Sequence, residues 1–200
     1  MMYWKEVLKV LNSYQTLGYN KRDTSSIQIG KAPHLGVDAW LHCLYTPLRE
    51  NEISIIETKL QRIIPSSYKI FLSNCSNGIN LFGDAMTLEG LRKSEGRTID
   101  NVFQPYSIIE SNTSELPKGY TKDIFIIGHY EYNGALLYID IPSAKVYCTE
   151  REKIAPLFEW NTFDEMLELE TKRLSGVFNS EGFLGDEDWH LTLPYTKLLA

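Results

Sequence analysis

Residues 52–83 read EISIIETKLQRIIPSSYKIFLSNCSNGINLFG, and the fold class follows from this stretch. Apolar side chains recur at helical spacing in its first part, which predicts a helix over residues 48–60. Pro65 ends that helix because proline has no backbone N–H to donate, and Ser66 or Ser67 can then cap a second short helix. The apolar faces of the two predicted helices consist of Ile53, Ile56, Leu60, Tyr68, Phe71 and Leu72.

The same stretch ends in a chain reversal followed by a strand. Asn77 and Gly78 both tolerate positive φ, so this pair predicts a turn. Residues 79–82, Ile-Asn-Leu-Phe, predict a strand. Each of these features has a structural explanation, and none of them indicates catalysis. The residues to which the pattern assigns a structural role are Pro65, Tyr68, Phe71, Asn77 and Gly78.

A second region, IFIIGHYEYNGALLYIDIPSAKVYCT at residues 124–149, has the clearest strand pattern. Its β-branched and aromatic runs are separated by an Asn-Gly pair and by a connection that contains proline. Connections this short favour antiparallel pairing of neighbouring strands. The predicted strands are residues 124–127, 135–141 and 145–149.

A capping box marks the start of the last predicted helix. The hydroxyl of Thr162 can accept a hydrogen bond from the backbone there, while Glu165 reaches back toward the preceding turn. The chain therefore runs from helices to an antiparallel sheet and back to a helix. This order predicts an α+β fold in which a mostly antiparallel sheet packs against helices.

The segments that flank residues 48–175 are less regular. Residues 2–15 predict an amphipathic helix, but residues 18–47 contain glycines and prolines with little periodicity. We therefore interpret residues 1–47 as a helical and irregular N-terminal extension. Residues 176–200 carry too many large apolar side chains for a free tail, which predicts an acidic C-terminal segment that packs on the domain.

Charge is distributed unevenly along the chain. The 200 residues carry 26 acidic and 20 basic side chains, for a formal net charge of −6. Residues 150–200 hold 11 of the acidic and 5 of the basic side chains, so this quarter accounts for the whole imbalance. An acidic face repels phosphate groups and attracts basic proteins. We therefore expect a basic protein partner and no nucleic acid.

The sequence predicts a cytoplasmic protein without a membrane partner. Its longest apolar run, residues 135–139, is far shorter than a membrane-spanning helix requires. Glu6 and Lys9 interrupt the apolar N-terminus, which is therefore not typical of a signal peptide. The odd number of cysteines argues against a disulfide framework and favours a reducing compartment.

Motifs that carry catalysis or bind cofactors are missing from the sequence. It has no P-loop, GxGxxG, HExxH or GxSxG pattern. His42 and Cys43 are adjacent but lack the second ligand pair that a structural zinc site uses. We therefore predict no catalytic residue, no cofactor and no metal. An enzyme would need a thiol or hydroxyl that the fold brings beside a base, which sequence spacing does not reveal.

The order of these motifs resembles the SUKH superfamily, whose best-known branch contains the fungal cell-wall-assembly regulators related to Smi and Knr. The resemblance covers residues 48–175. It includes a helix that runs into a proline, then Tyr-Lys-x-Phe-Leu, an Asn-Gly turn, a strand ending in Ile-Gly, a Leu-x-Tyr-x-Asp strand and a closing helix after Trp160. The dipeptide before the tyrosine motif is Ile64-Pro65 where the family usually has Leu-Pro. On this resemblance, structural roles extend to Gly128, Tyr138 and Asp140.

The resemblance implies a non-catalytic domain that binds other proteins. Bacterial members commonly act as immunity proteins, which bind and neutralise a cognate toxin such as a nuclease or another basic effector. We therefore expect an immunity protein whose acidic surface covers a toxin. The alternative is a regulatory scaffold of cell-wall or glucan synthesis. The candidate contact residues are Tyr130, Glu131, Tyr132, Glu150, Glu152, Asp186, Glu187, Asp188 and Trp189.

Overall fold

The computed structural model describes residues 2–94 and 103–195, and within these ranges nine strands form one sheet. Every strand pairs antiparallel with its neighbour in the chain, so the spatial order of the strands is the chain order. The strands are β1 (Tyr19–Lys21), β2 (Ile27–Lys31), β3 (Trp40–Leu44), β4 (Ile79–Leu81), β5 (Met86–Leu88), β6 (Ile124–Tyr130), β7 (Ala135–Asp140), β8 (Val146–Thr149) and β9 (Pro156–Trp160).

Helices accompany this sheet and share its core, which confirms the predicted α+β class. The helix at Met2–Ser13 packs against the helix at Phe163–Val177, so segments far apart in the chain meet. The α-helices are α1 (Met2–Ser13), α2 (Glu50–Leu60), α3 (Ser66–Asn74), α4 (Ile108–Ser111) and α5 (Phe163–Val177). Two 3-10 helices lie at Gln15–Leu17 and Asp186–Thr192.

Pro65, between α2 and α3, is the N-cap residue of α3, and neither of the serines that follow it caps this helix. Pro65 occupies the N-cap position with an extended ψ of 135°, and no side chain caps the helix. The predicted serine cap is therefore wrong, because Ser66 and Ser67 are already the first residues of α3. The apolar faces of both helices are buried as their spacing predicts.

The N-terminal segment is not an irregular extension. It contributes β1, β2 and β3, and β3 pairs with β4 in the middle of the sheet. These strands are three to five residues long and their buried positions do not alternate strictly, so the sequence lacks the period-two signal of a half-buried strand. Residues 1–47 therefore belong to the same structural unit as the rest of the chain.

An aromatic cluster joins α3 to α5 and to the centre of the sheet. The rings of Tyr68 and Phe71 lie 5.2 and 5.3 Å from that of Phe163, and all three side chains are fully buried. The Tyr68 hydroxyl donates to the backbone oxygens of Glu89 and Ile127. This contact fixes the chain where it leaves β5, next to the middle of β6.

Two glycines allow other segments to pack closely against β5: Gly78 in the turn before β4, and Gly128 in β6. Gly78 has a φ of +81°, and a Cβ there would lie 2.6 Å from the backbone oxygen of Leu88. At Gly128, beside an irregularity in the pairing of β6 with β7, a Cβ would lie 2.0 Å from the Thr87 oxygen. The amide of Asn77 exchanges two hydrogen bonds with the backbone of Leu91.

The β7–β8 hairpin is held by polar contacts at its end and on its face. The Asp140 carboxylate accepts a hydrogen bond from the Ser143 backbone amide at 3.0 Å, which closes the turn. The Tyr138 hydroxyl donates to the Ile154 backbone oxygen at 3.2 Å, which ties the hairpin to the chain before β9.

None of the helices in the described part of the chain could cross a membrane, because none is both long and apolar enough.

Candidate functional site

An open groove of about 810 Å³ lies between the α4 region and the β6–β7 hairpin. Its lining is acidic: among the residues that the structure describes there, five are glutamates, against a single arginine and a single histidine. The glutamates come from four separate segments of the chain. They are Glu89, Glu110, Glu115, Glu131 and Glu152.

Glu89 is the buried member of this acidic set. It follows β5 directly, and only 2% of its surface is exposed. Its Oε1 accepts a hydrogen bond from the Ser111 hydroxyl at 3.0 Å, whereas its Oε2 has no hydrogen-bond partner among residues 2–94 and 103–195. Its backbone amide donates to the Ile127 oxygen at 2.8 Å, so the main chain fixes its position. Burial of a carboxylate with an unpaired oxygen is costly, which marks this position as unusual.

His129 lies between the buried and the exposed carboxylates. Its Nδ1 is 3.4 Å from Oε1 of Glu89, and its Nε2 is 3.8 Å from Oε2 of Glu131. Burial opposes the charged form, but the contact with Glu89 and the charges of Glu131 and Asp84 outweigh it and raise the pKa of His129. The Tyr106 ring packs edge-on against the imidazole, with centroids 4.9 Å apart.

Asp84 adds a further acidic group near the groove. It lies in the turn between β4 and β5 at positive φ and accepts a hydrogen bond from Asn80 at 2.6 Å. Burial raises its pKa, and Glu131 acts in the same direction, while Asn80 and His129 oppose the shift. The negative potential of the groove therefore depends on several coupled carboxylates.

Three of the predicted contact residues line this groove. Glu131 and Tyr132 lie in the turn after β6, and both are exposed. Glu152 also lines the groove, and its carboxylate is 3.8 Å from the Arg151 guanidinium. Glu150 is exposed but outside the lining, and it pairs with Lys153.

Tyr130 is not available as a contact residue. It is fully buried, and its hydroxyl donates to Oε2 of Glu170 at 2.6 Å. Successive residues of a strand point to opposite faces, so Tyr130 faces the helices when His129 faces the groove. Its assignment to the partner surface is therefore wrong, because the sequence did not show which side of β6 the helices cover.

The acidic residues of the C-terminal segment form a separate surface. Asp186, Glu187 and Asp188 are exposed in the second 3-10 helix and do not line the groove. Trp189 is half-buried, with its ring 5.9 Å from that of Phe178. Trp189 therefore anchors this segment to the core and presents only part of its surface outward.

Sequence reasoning missed the residues at the base of the groove. Glu89 carried one signal, since it is a charged residue at the end of the apolar run MTLEGL at 86–91. His129 is adjacent to Tyr130 in β6, and the two side chains differ in environment because they point to opposite faces of the sheet. Tyr106 and Glu110 lie in a region without periodicity, so no sequence pattern indicated their position.

The three cysteines and His42 have pKa values that burial shifts away from the reactive range. Burial raises the pKa of the Cys43 thiol to about 12 and also raises the pKa values of Cys75 and Cys148. Such thiols stay protonated and weakly nucleophilic. Burial lowers the pKa of His42 to about 3. Within these ranges, no three histidine, cysteine, aspartate or glutamate side chains are grouped to hold a metal ion.

A comparison with protein-family models connects this geometry to known proteins. The model of the SMI1 / KNR4 family (SUKH-1) matches residues 47–169, more than half of the chain. Every residue that lines the groove falls within that segment, whereas the acidic 3-10 helix at Asp186–Thr192 falls outside it. The search of curated proteins found no match for the chain.

Proposed function

Because the chain belongs to the SMI1 / KNR4 family (SUKH-1), we propose that it is a non-catalytic immunity protein that binds and neutralises a cognate toxin. The observation that carries the proposal is the acidic groove within the family-matched segment. A groove of this charge suits a basic protein surface, such as the active-site face of a toxin that acts on nucleic acid.

The proposed mechanism is occlusion. The groove is framed by sheet strands and by α4, so its carboxylates are already positioned before the partner arrives. Complementary charge accelerates the encounter and disfavours wrong partners. Tyr106 and Tyr132 are 44% and 51% exposed, and such aromatic side chains supply much of the affinity at protein interfaces.

The C-terminal acidic surface has a supporting role in this proposal. Asp186, Glu187 and Asp188 are exposed and extend the negative potential beyond the groove. Charges outside the contact centre act mainly on the rate of association. We place the encounter in the cytoplasm, where the three cysteines remain free thiols.

A rescue experiment tests the proposal. Neighbouring genes are first screened for a product that stops growth when expressed alone. That product is then co-expressed with the protein, and cell growth and complex affinity are measured with the wild type and with the double variant Glu110→Lys/Glu131→Lys. We expect the wild type to restore growth and the double variant to weaken the complex by at least about tenfold, because opposite charges become like charges. The matched control is Glu181→Lys, an exposed site outside the groove.

The outcome separates this proposal from its alternative. Absence of growth rescue by the wild type would contradict an immunity role. Recovery of cell-wall synthesis enzymes, and no toxin, in affinity purification from the native host would instead support a regulatory scaffold.

A further inference from the structure

We infer that the groove receives the guanidinium group of an arginine side chain of the partner protein, with Glu89 as the carboxylate at its base. This inference rests on the proposed function only in taking the occupant to be a protein. It adds the chemistry of the group that is recognised and the residue that recognises it.

The first argument is the incomplete hydrogen bonding of Glu89. One of its oxygens has partners in Ser111 and His129, but Oε2 has no partner within the described residues. A buried acceptor without a partner loses its hydration and gains nothing in return. A donor that enters the base of the groove would supply the missing hydrogen bond, and a charged donor would supply the stronger one.

The second argument is that Arg151, the arginine that lines the described part of the groove, does not fill this role. Arg151 lines the groove, but its side chain is 72% exposed and lies 3.8 Å from Glu152 at the rim. It packs over Gly134, far from the position that Glu89 occupies at the end of β5. Within the chain, His129 lies 3.4 Å from Oε1 of Glu89, so the donor still missing is the one for Oε2, and we expect it to come from another molecule.

The third argument favours arginine over lysine. A guanidinium is planar, has five N–H donors, stacks on aromatic rings and is more weakly hydrated than an ammonium group. The groove offers these features together: the rings of Tyr106 and Tyr132, the Glu89 carboxylate at the base, and carboxylates of Glu110 and Glu131 nearer the rim. A lysine ammonium would lose more hydration and would satisfy fewer of these acceptors.

Binding of short homopeptides tests the inference. Hexa-arginine, hexalysine and hexaglutamate peptides are titrated into the full chain at physiological salt by isothermal titration calorimetry. Amide NMR shifts report whether the residues around His129 and Glu131 respond. We expect hexa-arginine to bind at least about fivefold more tightly than hexalysine, with shifts centred on the groove, and hexaglutamate not to bind.

Two charge-neutral variants identify the receiving carboxylate. Glu89→Gln keeps the shape of the side chain and should weaken hexa-arginine binding by about tenfold, whereas Glu181→Gln removes the same charge outside the groove and should have little effect. Glu110→Gln is measured in parallel because its side chain is exposed and the substitution spares the core. It should weaken binding less than Glu89→Gln, and the melting temperature of each variant is recorded.

Equal affinities for hexa-arginine and hexalysine would overturn the inference, as would equal affinities of the Glu89→Gln and Glu181→Gln variants, since both results indicate unspecific charge attraction. These outcomes leave the growth-rescue result of the proposed function unaffected. Conversely, failure of growth rescue together with specific hexa-arginine binding would reject the immunity role and retain the arginine site.

Discussion

At the scale of single residues, the backbones of β5 and β6 approach so closely beside the groove that position 128 has no room for a side chain. Gly128 lies opposite Leu88, where β5 pairs with β6, and Glu89 follows one residue after Leu88. Any side chain at position 128 would push β5 away from β6. The position of the buried carboxylate therefore depends on a residue that has no side chain of its own.

The first prediction compares two identical substitutions in different surroundings. Gly128→Ala should lower the free energy of unfolding by more than about 2 kcal/mol, because its Cβ would lie 2.0 Å from the Thr87 oxygen. Gly176→Ala is the control, since nothing lies within 4 Å of its Cβ and alanine favours helix, so it should raise stability by up to about 0.5–1 kcal/mol. Urea unfolding measures both. Equal stabilities would show that β5 and β6 do not approach this closely.

The second prediction concerns the pH dependence that His129 contributes. The groups that face it are Glu89, Glu131, Asp84 and the ring of Tyr106, and their combined effect raises its pKa above the ordinary value of 6.5. The folded protein therefore binds this proton more tightly than the unfolded chain does. The resulting stabilisation is fully present below pH 6.5 and is lost as the pH rises through the folded-state pKa.

The measurement isolates this effect by difference. Urea unfolding of the wild type and of His129→Gln is compared between about pH 5 and 8. We expect the stability advantage of the wild type to shrink as the pH rises. His42 acts in the opposite sense, because burial lowers its pKa to about 3 and low pH then favours unfolding, but this contribution is the same in both proteins. An advantage that does not change with pH would contradict the prediction.

At the scale of secondary-structure elements, the sequence predicted the helices and strands whose local residue pattern matches their place in the folded protein. The stripe of α2, the strand runs of β6 to β8 and the Thr162 cap of α5 all appear in the structure. Strand β9 was not predicted, because four of its five residues are exposed and it begins with a proline. The groove was not predicted as a unit, because its lining comes from segments that only the sheet brings together.

A buried polar network connects α5 to the sheet and to the C-terminal segment. Arg173 pairs with Glu170 at 2.6 Å and donates to the backbone oxygens of Leu191 and Thr192. Glu170 in turn accepts the hydroxyl of Tyr130, which lies on the face of β6 opposite the groove. One ion pair therefore holds the second 3-10 helix against α5.

The third prediction compares neighbouring cations on α5. Arg173→Met leaves the Glu170 carboxylate buried without its counter-charge and should cost about 3–5 kcal/mol, with faster hydrogen exchange across residues 186–193. Lys172→Met removes an exposed pair with Glu168 and should cost no more than about 0.5 kcal/mol. Urea unfolding and hydrogen-exchange mass spectrometry measure the two effects. Similar losses in both variants would contradict the assigned role of Arg173.

At the scale of the whole molecule, the folded unit is larger than the segment that the family model matches. Strand β3 pairs with β4 inside the sheet, and α1 packs against α5. The rings of Trp4 and Phe71 lie 5.9 Å apart, which joins the N-terminal helix to the core of the matched segment. The N-terminal region is therefore a structural part of the protein.

The fourth prediction is that residues 47–200 do not form a stable protein without the N-terminal region. Removal of residues 1–46 exposes the edge of β4 and the apolar side chains that α1 covers, and both favour aggregation. We expect the fragment to aggregate or to lack a cooperative melting transition, whereas the full chain melts cooperatively. Calorimetry and size-exclusion chromatography measure this. A monomeric fragment with cooperative melting would show that the N-terminal strands are dispensable.

The strand order described above also bears on how the chain reaches its native state during synthesis. Each strand pairs only with its neighbour in the chain, so every new strand finds its partner already released from the ribosome. The contacts of α5 with α1 and with α3 are different, because they join segments far apart in the chain and wait for translation to pass residue 177. We therefore expect a nascent sheet to grow progressively and a single late docking step to complete it.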